Sequence, residues 1–208
     1  MIDCVTIANA HLFGNALASM YRLRYKVFIK QERWSVPTWR DMEYDQYDTP
    51  AAHYLVWRDS RGEVRGMSRL SPTDRPYMLK DIWPDMVTAG PLPASPVVWE
   101  GTRFAVDADL PVAMRRRVIA ELVAAYAEFG LAMGLEHFIG IMPPAVWRVV
   151  FKSNGWNPEF LGDPYLIDGN RILPGRIAVT PEAAEAVRRA TGLAGPVLRL
   201  FDDVAAAA

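Results

Sequence analysis

Residues 97–142, VVWEGTRFAVDADLPVAMRRRVIAELVAAYAEFGLAMGLEHFIGIM, decide the fold. The opening run, VVWEGTRFAVD over 97–107, is rich in β-branched and aromatic residues and predicts a strand. From Pro111 to Gly134 the apolar positions Met114, Val118, Leu122, Tyr126, Phe129 and Met133 recur at threes and fours, the spacing of one helix face. Proline at its start and glycine near its end are the expected punctuation. HFIGIM, 137–142, then predicts a buried strand. Strand, long helix and buried strand in succession place the chain among α/β folds.

Working outward, HYLVWR (53–58) and EVRGMSRL (63–70) read as strands joined by the turn-forming Asp59-Ser60-Arg61-Gly62, with Pro72 ending the pair. DCVTIA (3–8) is a first short strand. Residues 11–32 form an amphipathic helix or helix pair with Leu12, Phe13, Leu17, Met20, Leu23, Val27 and Phe28 inward and Gly14 as its break point. A short helix is expected over 78–87, followed by a proline-rich loop at Pro91, Pro93 and Pro96. Past the core stretch, Pro143-Pro144 opens a helix to about Ser153, which Asn154-Gly155-Trp156 stops. A strand at 171–179, a helix at 181–190, a strand at 196–201 and a frayed tail at Ala205–Ala208 complete the reading. The expected whole is one domain, 1–208, built as a three-layer α/β sandwich on a mixed, mostly antiparallel sheet.

With 208 residues, 51% hydrophobic and 23% charged, and a formal net charge of -1, the chain has no basic face for nucleic acid. Its single cysteine, Cys4, excludes an intrachain disulfide framework, and no Cys/His spacing matches a metal site. The first residues lack the pattern of an export signal and no apolar run reaches membrane-spanning length, so a cytoplasmic protein with no membrane partner is expected.

Residues 24–48 are hard to explain as packing. Arg24 and Phe28, four apart, share a helix face one turn apart. Trp34 follows where the helix runs out, and Ser35-Val36-Pro37 enforces extended or turn backbone. Asp41-Met42-Glu43-Tyr44-Asp45-Gln46-Tyr47-Asp48 then sets four carboxylates among aromatic residues, a density that repels unless cations sit among them. A second cluster lies on the 97–107 strand. Glu100 and Arg103 are three apart and point to opposite faces of a regular strand, so they are either a surface ion pair or, if the strand is bulged near Gly101, partners in one site. Arg69 is either a solvated residue or a buried counter-charge.

In chain order, Arg24, Phe28, Trp34, Glu43-x-Asp45-x-x-Asp48, Arg69-Leu70-x-Pro72-Thr73-x-x-Pro76-x-Met78-Leu79 and Trp99-Glu100-x-Thr102-Arg103-Phe104 resemble the acyl-homoserine-lactone synthases, the autoinducer synthases of bacterial quorum sensing. The resemblance spans about residues 20–160. It departs at Trp83, where the family usually has phenylalanine, and at Gly101-Thr102, where a larger apolar residue and serine are usual. It implies a fold similar to the N-acetyltransferases, S-adenosylmethionine as acyl acceptor and substrate, no further cofactor, and an acyl thioester of acyl carrier protein or CoA as donor. The products implied are an N-acyl-homoserine lactone and methylthioadenosine. Residues 107–117, DADLPVAMRRR, lack the glycine-rich pyrophosphate loop of ordinary acetyltransferases, which fits a donor held by its pantetheine arm and by a carrier protein.

The roles this resemblance implies are chemically coherent. Phe28 and Trp34 offer faces to the sulfonium and adenine, Asp45 holds the ammonium, Arg103 or Arg24 takes the carboxylate, and Met42 packs on the adenosyl group. Glu43, Asp48 and Arg69 form with the arginines a network that fixes the loop. Glu100 is the candidate base, direct or through water. With an α-amine near ~7.8 and a glutamate near ~4.3, full ground-state proton transfer is uphill by about 4.8 kcal/mol, so Glu100 must be raised by burial or act as the C–N bond forms. The acyl pocket implied comprises Trp83, Phe104, Ile141, Met142, Val146, Trp147 and Val150. Ile141 stands where members preferring 3-oxo chains carry threonine, and Trp147 is bulky, so a short, unsubstituted or branched acyl group is expected. Arg115, Arg116 and Arg117 are either a solvated face or a docking patch for an acidic carrier or CoA phosphates. Two other readings remain: an N-acyltransferase for a different amine, and a non-catalytic ligand sensor.

Overall fold

The computed structural model describes residues 1–200. The expected Ala205–Ala208 tail and the last residue of the expected 196–201 strand lie outside the described residues; within them this segment gives a short strand, β11 (Leu198–Arg199). The fold is α/β with a mixed sheet, in two compact units. Met1–Arg69, Arg103–Leu122 and the chain from Val197 form the first; Leu70–Thr102 and Val123–Pro196 form the second.

In the first unit, β1 (Ile2–Val5) pairs antiparallel with β4 (His53–Arg58) and parallel with β11. The strand order there is β11-β1-β4-β5-β6, where β5 is Val64–Pro72 and β6 is Val98–Val106. The expected 11–32 helix is real but divided. A single 3-10 turn (Ala10–Phe13) ends at Gly14, whose φ of +61° breaks the helix as the glycine suggested. Helix α1 (Ala16–Arg24) follows and widens into π-type turns over Tyr25–Gln31. Phe13, Ala16, Met20, Leu23 and Val27, spaced at threes and fours, bury one stripe against Val5, Tyr54, Val56, Val64 and Met67.

After Pro37 comes an element the sequence did not announce. β2 (Thr38–Trp39) and β3 (Met42–Glu43) form a hairpin whose two turn residues, Arg40 and Asp41, have φ of +48° and +59°. That is the mirror-image two-residue turn that matches strand twist. It is normally written with Asn-Gly or Asp-Gly, and an arginine there costs about 1–2 kcal/mol. The hairpin has one clear consequence: Glu43 is held fully buried.

In the second unit the strand order is β5-β6-β7-β10-β8, with β7 at His137–Met142, β8 at Glu159–Phe160 and β10 at Asn170–Ala178; β9 (Tyr165–Ile167) pairs with β10. β6 and β7 are parallel, in register from Val98 with His137 to Glu100 with Ile139. Helix α2 (Met78–Ile82) stops before Pro84, shorter than the expected 78–87. Helix α3 (Val112–Ala132) matches the sequence reading closely. Its Tyr126 and Phe129 pack edge-on to Phe138 and Trp99. Helix α4 (Pro144–Val146) opens at the proline pair and continues as π and 3-10 turns to Asn154, where Gly155 at φ +85° ends it. Helix α5 (Pro181–Thr191) is capped by Thr180, whose hydroxyl accepts from Ala183 N–H.

Candidate active site

In the first unit the expected loop network is present as six interlocked charges. Arg24 donates from Nε to Glu43 Oε2 at 2.6 Å and from Nη1 to Asp48 Oδ1 at 2.7 Å. Arg69 donates from Nη1 to Asp45 Oδ1 at 2.6 Å and to Asp48 Oδ1 at 3.0 Å, and from Nη2 to Asp45 Oδ2 at 3.2 Å. Arg103 Nη2 reaches Glu43 Oε1 at 3.0 Å and Asp45 Oδ2 at 2.8 Å. Three guanidiniums and three carboxylates cancel in charge. Arg24, Arg69 and Glu43 have no exposure, while Asp45 retains 12%, so the Asp45–Arg103 corner is the open end.

Arg24 is wholly inside this network. Its Nε and Nη1 are taken by Glu43 and Asp48. Its Nη2, 3.7 Å from Asp45 Oδ2, has no hydrogen-bond partner, which leaves the network one bond short at the Asp45 corner. Burial by itself would push the Asp48 carboxyl up, but the charges of Arg24 and Arg69, the Arg24 hydrogen bond and the Asp45 N–H outweigh it and hold it below its ordinary value near 3.8. A depressed carboxylate contributes stability above its unfolded value and loses that contribution as pH falls through the folded one. The stability of wild type should thus drop below about pH 4 by a component missing in Asp48→Asn. Urea melts of both proteins at pH 3 and pH 6 measure it; equal losses on acidification would contradict the network.

Residues that the sequence did not single out complete this frame. Tyr54, near the start of β4, donates its hydroxyl to Asp48 Oδ1 at 2.9 Å, and the Asp45 main-chain N–H donates to Asp48 Oδ2 at 2.8 Å. A tyrosine inside an apolar strand was the available signal for the first. Beside the open corner, the rings of Phe28 and Trp34 stack at 4.5 Å and 20°, and the Arg103 guanidinium lies 5.6 and 5.3 Å from their centroids. Phe28 also belongs to the buried cluster of this unit, whereas Trp34 is 39% exposed. The widened turns before it set this spacing: Trp34 N–H reaches back to Phe28 C=O. Met42 is half-buried on β3, next to Glu43.

The strand carrying Glu100 and Arg103 is irregular, but not at Gly101. Thr73 N–H donates to Val98 C=O and Asp107 N–H to Arg65 C=O, so the nine residues from 65 to 73 are matched by ten from 98 to 107. The extra residue accompanies Arg103 itself, at φ +55°. Gly101 has a different reason: a Cβ there would stand 2.6 Å from Tyr126 Oη.

In the second unit Glu100 is buried, with Oε2 accepting from Met78 N–H at 3.0 Å and Oε1 from Leu79 N–H at 2.7 Å, the first turn of α2. Two main-chain donors facing two acceptor oxygens are the surroundings of a carboxylate. The same unit holds a cavity of about 10 Å³ lined by Gly101, Tyr126, Phe138, Ile139, Gly140, Met142, Trp147, Phe151 and Ile177. Of the expected acyl-pocket residues, Met142 and Trp147 line it. Ile141 and Trp83 pack instead with Tyr77, Leu79 and Met86. Val146 and Val150 lie on the helical turns after β7 outside the lining, and Phe104 is on β6 in the first unit. Trp147 is pinned by its Nε1 donating to Leu173 C=O at 3.0 Å, with its ring against Gly175.

A wider cleft of about 430 Å³ in the first unit is bordered by Arg58, Arg117 and Arg199, which pair with Asp3, Glu121 and Asp3. Among the described residues no cluster suits a metal ion and no helix is long and apolar enough to cross a membrane.

Comparison with known proteins decides the family. The autoinducer synthase family model matches residues 9–187. The chain belongs to the autoinducer synthase family. This synthase is 31% identical over 189 residues to the acyl-homoserine-lactone synthase of Ralstonia solanacearum, covering 88% of this chain and 92% of that one. It is 28% identical over 196 residues to the isovaleryl-homoserine lactone synthase of Bradyrhizobium diazoefficiens, covering 93% and 86%. Among solved structures, the CoA-dependent acyl-homoserine lactone synthase BjaI with SAM and isopentyl-CoA superposes on the synthase with a TM-score of 0.86 at 26% identity, over 99% of this chain and 97% of that one. A protein of N-acetyltransferase type from Lactobacillus plantarum, at 18% identity and a TM-score of 0.54, shares the fold alone.

Proposed function

We propose that this synthase makes an N-acyl-L-homoserine lactone from S-adenosylmethionine and the CoA thioester of a short, branched acid. The observation that carries the reading is the Asp45–Arg103 pair. An anion and a cation 2.8 Å apart, at the least buried corner of a neutral network, complement the ammonium and carboxylate of an amino-acid head. Phe28 and Trp34 offer ring faces to the sulfonium and adenine, and Met42 packs on the adenosyl group. Glu43, Asp48, Arg69 and Arg24 hold these contacts in place.

Glu100 accepts the proton of the α-amine. Its oxygens are those of a carboxylate, so transfer accompanies C–N bond formation, when the nitrogen turns acidic. The amine attacks the thioester carbonyl, the C–S bond breaks, and the proton passes on to the departing thiolate. The substrate carboxylate oxygen then attacks the carbon beside the sulfonium. A C–O bond forms, the C–S electron pair stays on sulfur, and the lactone and methylthioadenosine separate. Holding those atoms in line is a proximity effect.

Relatives described as an isovaleryl-homoserine lactone synthase and as a CoA-dependent synthase with isopentyl-CoA favour a short CoA donor over a long carrier-bound chain. Arg116 is exposed and remains the docking element for an acidic carrier should that donor be used. Purified protein with S-adenosylmethionine should release methylthioadenosine with isovaleryl-CoA faster than with longer acyl-CoA or acyl-carrier substrates. No release with any donor would end the reading. Removing the indole in Trp147→Ala should raise the kcat/KM ratio of octanoyl-CoA to isovaleryl-CoA by about tenfold or more, since each methylene accommodated is worth roughly 1–3 kcal/mol. An unchanged ratio would move the chain-length limit elsewhere.

A further inference from the structure

Ser71, on β5, is 7% exposed, and its Oγ has no hydrogen-bond partner. Buried hydroxyls are paired in the great majority of cases, and an unpaired one demands a reason. Its position supplies one. Thr73 N–H donates to Val98 C=O on the adjacent strand β6, at 3.0 Å. Hydrogen-bonded residues of an antiparallel pair stand directly opposite, so two steps back along β5 Ser71 stands opposite Glu100. Opposed residues project to the same face with Cβ atoms about 4.5–5.5 Å apart. Both residues lie within the second unit. Glu100 is held by the Met78 and Leu79 N–H groups, whereas the serine hydroxyl beside it is uncommitted.

We propose that Ser71 is a substrate-contacting residue: Oγ accepts a hydrogen bond from the α-amine of the acyl acceptor and holds that nitrogen beside Glu100 while its proton moves. This rests on the reading of Glu100 as base. Attack requires the neutral amine, which has two N–H donors and one lone pair, so acceptors on its N–H groups orient it. Glu100 takes one N–H, and that proton leaves with it. A hydroxyl can hold a second N–H through the reaction without competing for the proton, because it stays neutral. The nitrogen lone pair is thereby turned toward the thioester carbonyl. A serine placed for packing would have no need of a buried, unpaired oxygen.

The test is Ser71→Ala in the full chain with S-adenosylmethionine and isovaleryl-CoA, reading methylthioadenosine release, both KM values and the melting temperature. The kcat/KM for S-adenosylmethionine should fall about 10- to 100-fold, the value of one hydrogen bond to a charged group. The KM for the thioester should hold, and the melting temperature should stay level or rise, because the substitution removes an unpaired buried hydroxyl. A merely structural serine gives the opposite pattern: a lower melting temperature and parallel losses for both substrates. That pattern, or kcat/KM within about twofold of wild type, overturns the assignment while the synthase reading stands. If wild type itself released no methylthioadenosine with any donor, the synthase reading would fall and this assignment with it. Calorimetric binding of S-adenosylmethionine gives a second readout, with weaker binding expected in Ser71→Ala.

Discussion

Glu100→Gln will lower methylthioadenosine release at saturating substrates by about 10²- to 10⁴-fold, the contribution of a positioned general base. The substitution keeps the side chain's size and removes its ability to take a proton. Both carboxylate oxygens accept main-chain N–H groups of Met78 and Leu79, and glutamine retains one acceptor while turning an NH₂ toward the other donor. A modest loss of stability should accompany the large loss of rate, and S-adenosylmethionine should still bind, because the charge network that complements its amino-acid head contains no contribution from residue 100. Single-turnover kinetics with isothermal titration separates the two effects. Unchanged turnover would remove Glu100 as the base; lost binding with unchanged chemistry would make it a positioning residue.

The second large effect falls on stability. Glu43→Gln should destabilise the protein by about 3–5 kcal/mol, because it strips the counter-charge from two buried guanidiniums at once. Arg24 Nε donates to Glu43 Oε2 at 2.6 Å and Arg103 Nη2 to Oε1 at 3.0 Å, with Glu43 fully buried. For a chain of this length that corresponds to a melting temperature lower by about 10 °C. The exposed Arg176–Glu159 pair is the control: it has similar hydrogen-bond distances but is screened by water, and Glu159→Gln should leave the melting temperature where it was. Equal shifts in the two variants would mean that burial is not what gives the network its weight. The buried pairs are not there to maximise stability, since an apolar set of equal volume would serve as well or better. They fix the loop that presents Asp45.

Much of this was legible beforehand where the signal is local. The α3 periodicity, the break at Gly14, the proline pair opening α4 and the Gly155 stop each depend on residues a few positions apart, and each appeared close to where it was expected. The network of Arg24, Glu43, Asp45, Asp48, Arg69 and Arg103 was legible for another reason: carboxylates that dense require cations, and the family resemblance said which. The hairpin at 38–43 escaped because Arg40-Asp41 carries no glycine, and its left-handed turn runs against local preference. Ile141 and Met142 were expected in one pocket from the family resemblance; in the fold Ile141 packs with Tyr77 and Leu79, while Met142 lines the small cavity.

By itself, then, the sequence determined most of the helix and strand segments, which charges must meet, and the family resemblance, because hydrophobic period, capping residues and spaced motifs are properties of the chain read in order. Only the tertiary structure decided how those segments are registered. The slip that places the irregularity at Arg103 and not at Gly101, the alignment of Ser71 with Glu100, and the complete burial of Arg24 all follow from hydrogen bonds between residues far apart in the chain. A register is chosen by the sum of such distant pairings, and a shift of one residue exchanges the two faces of a strand.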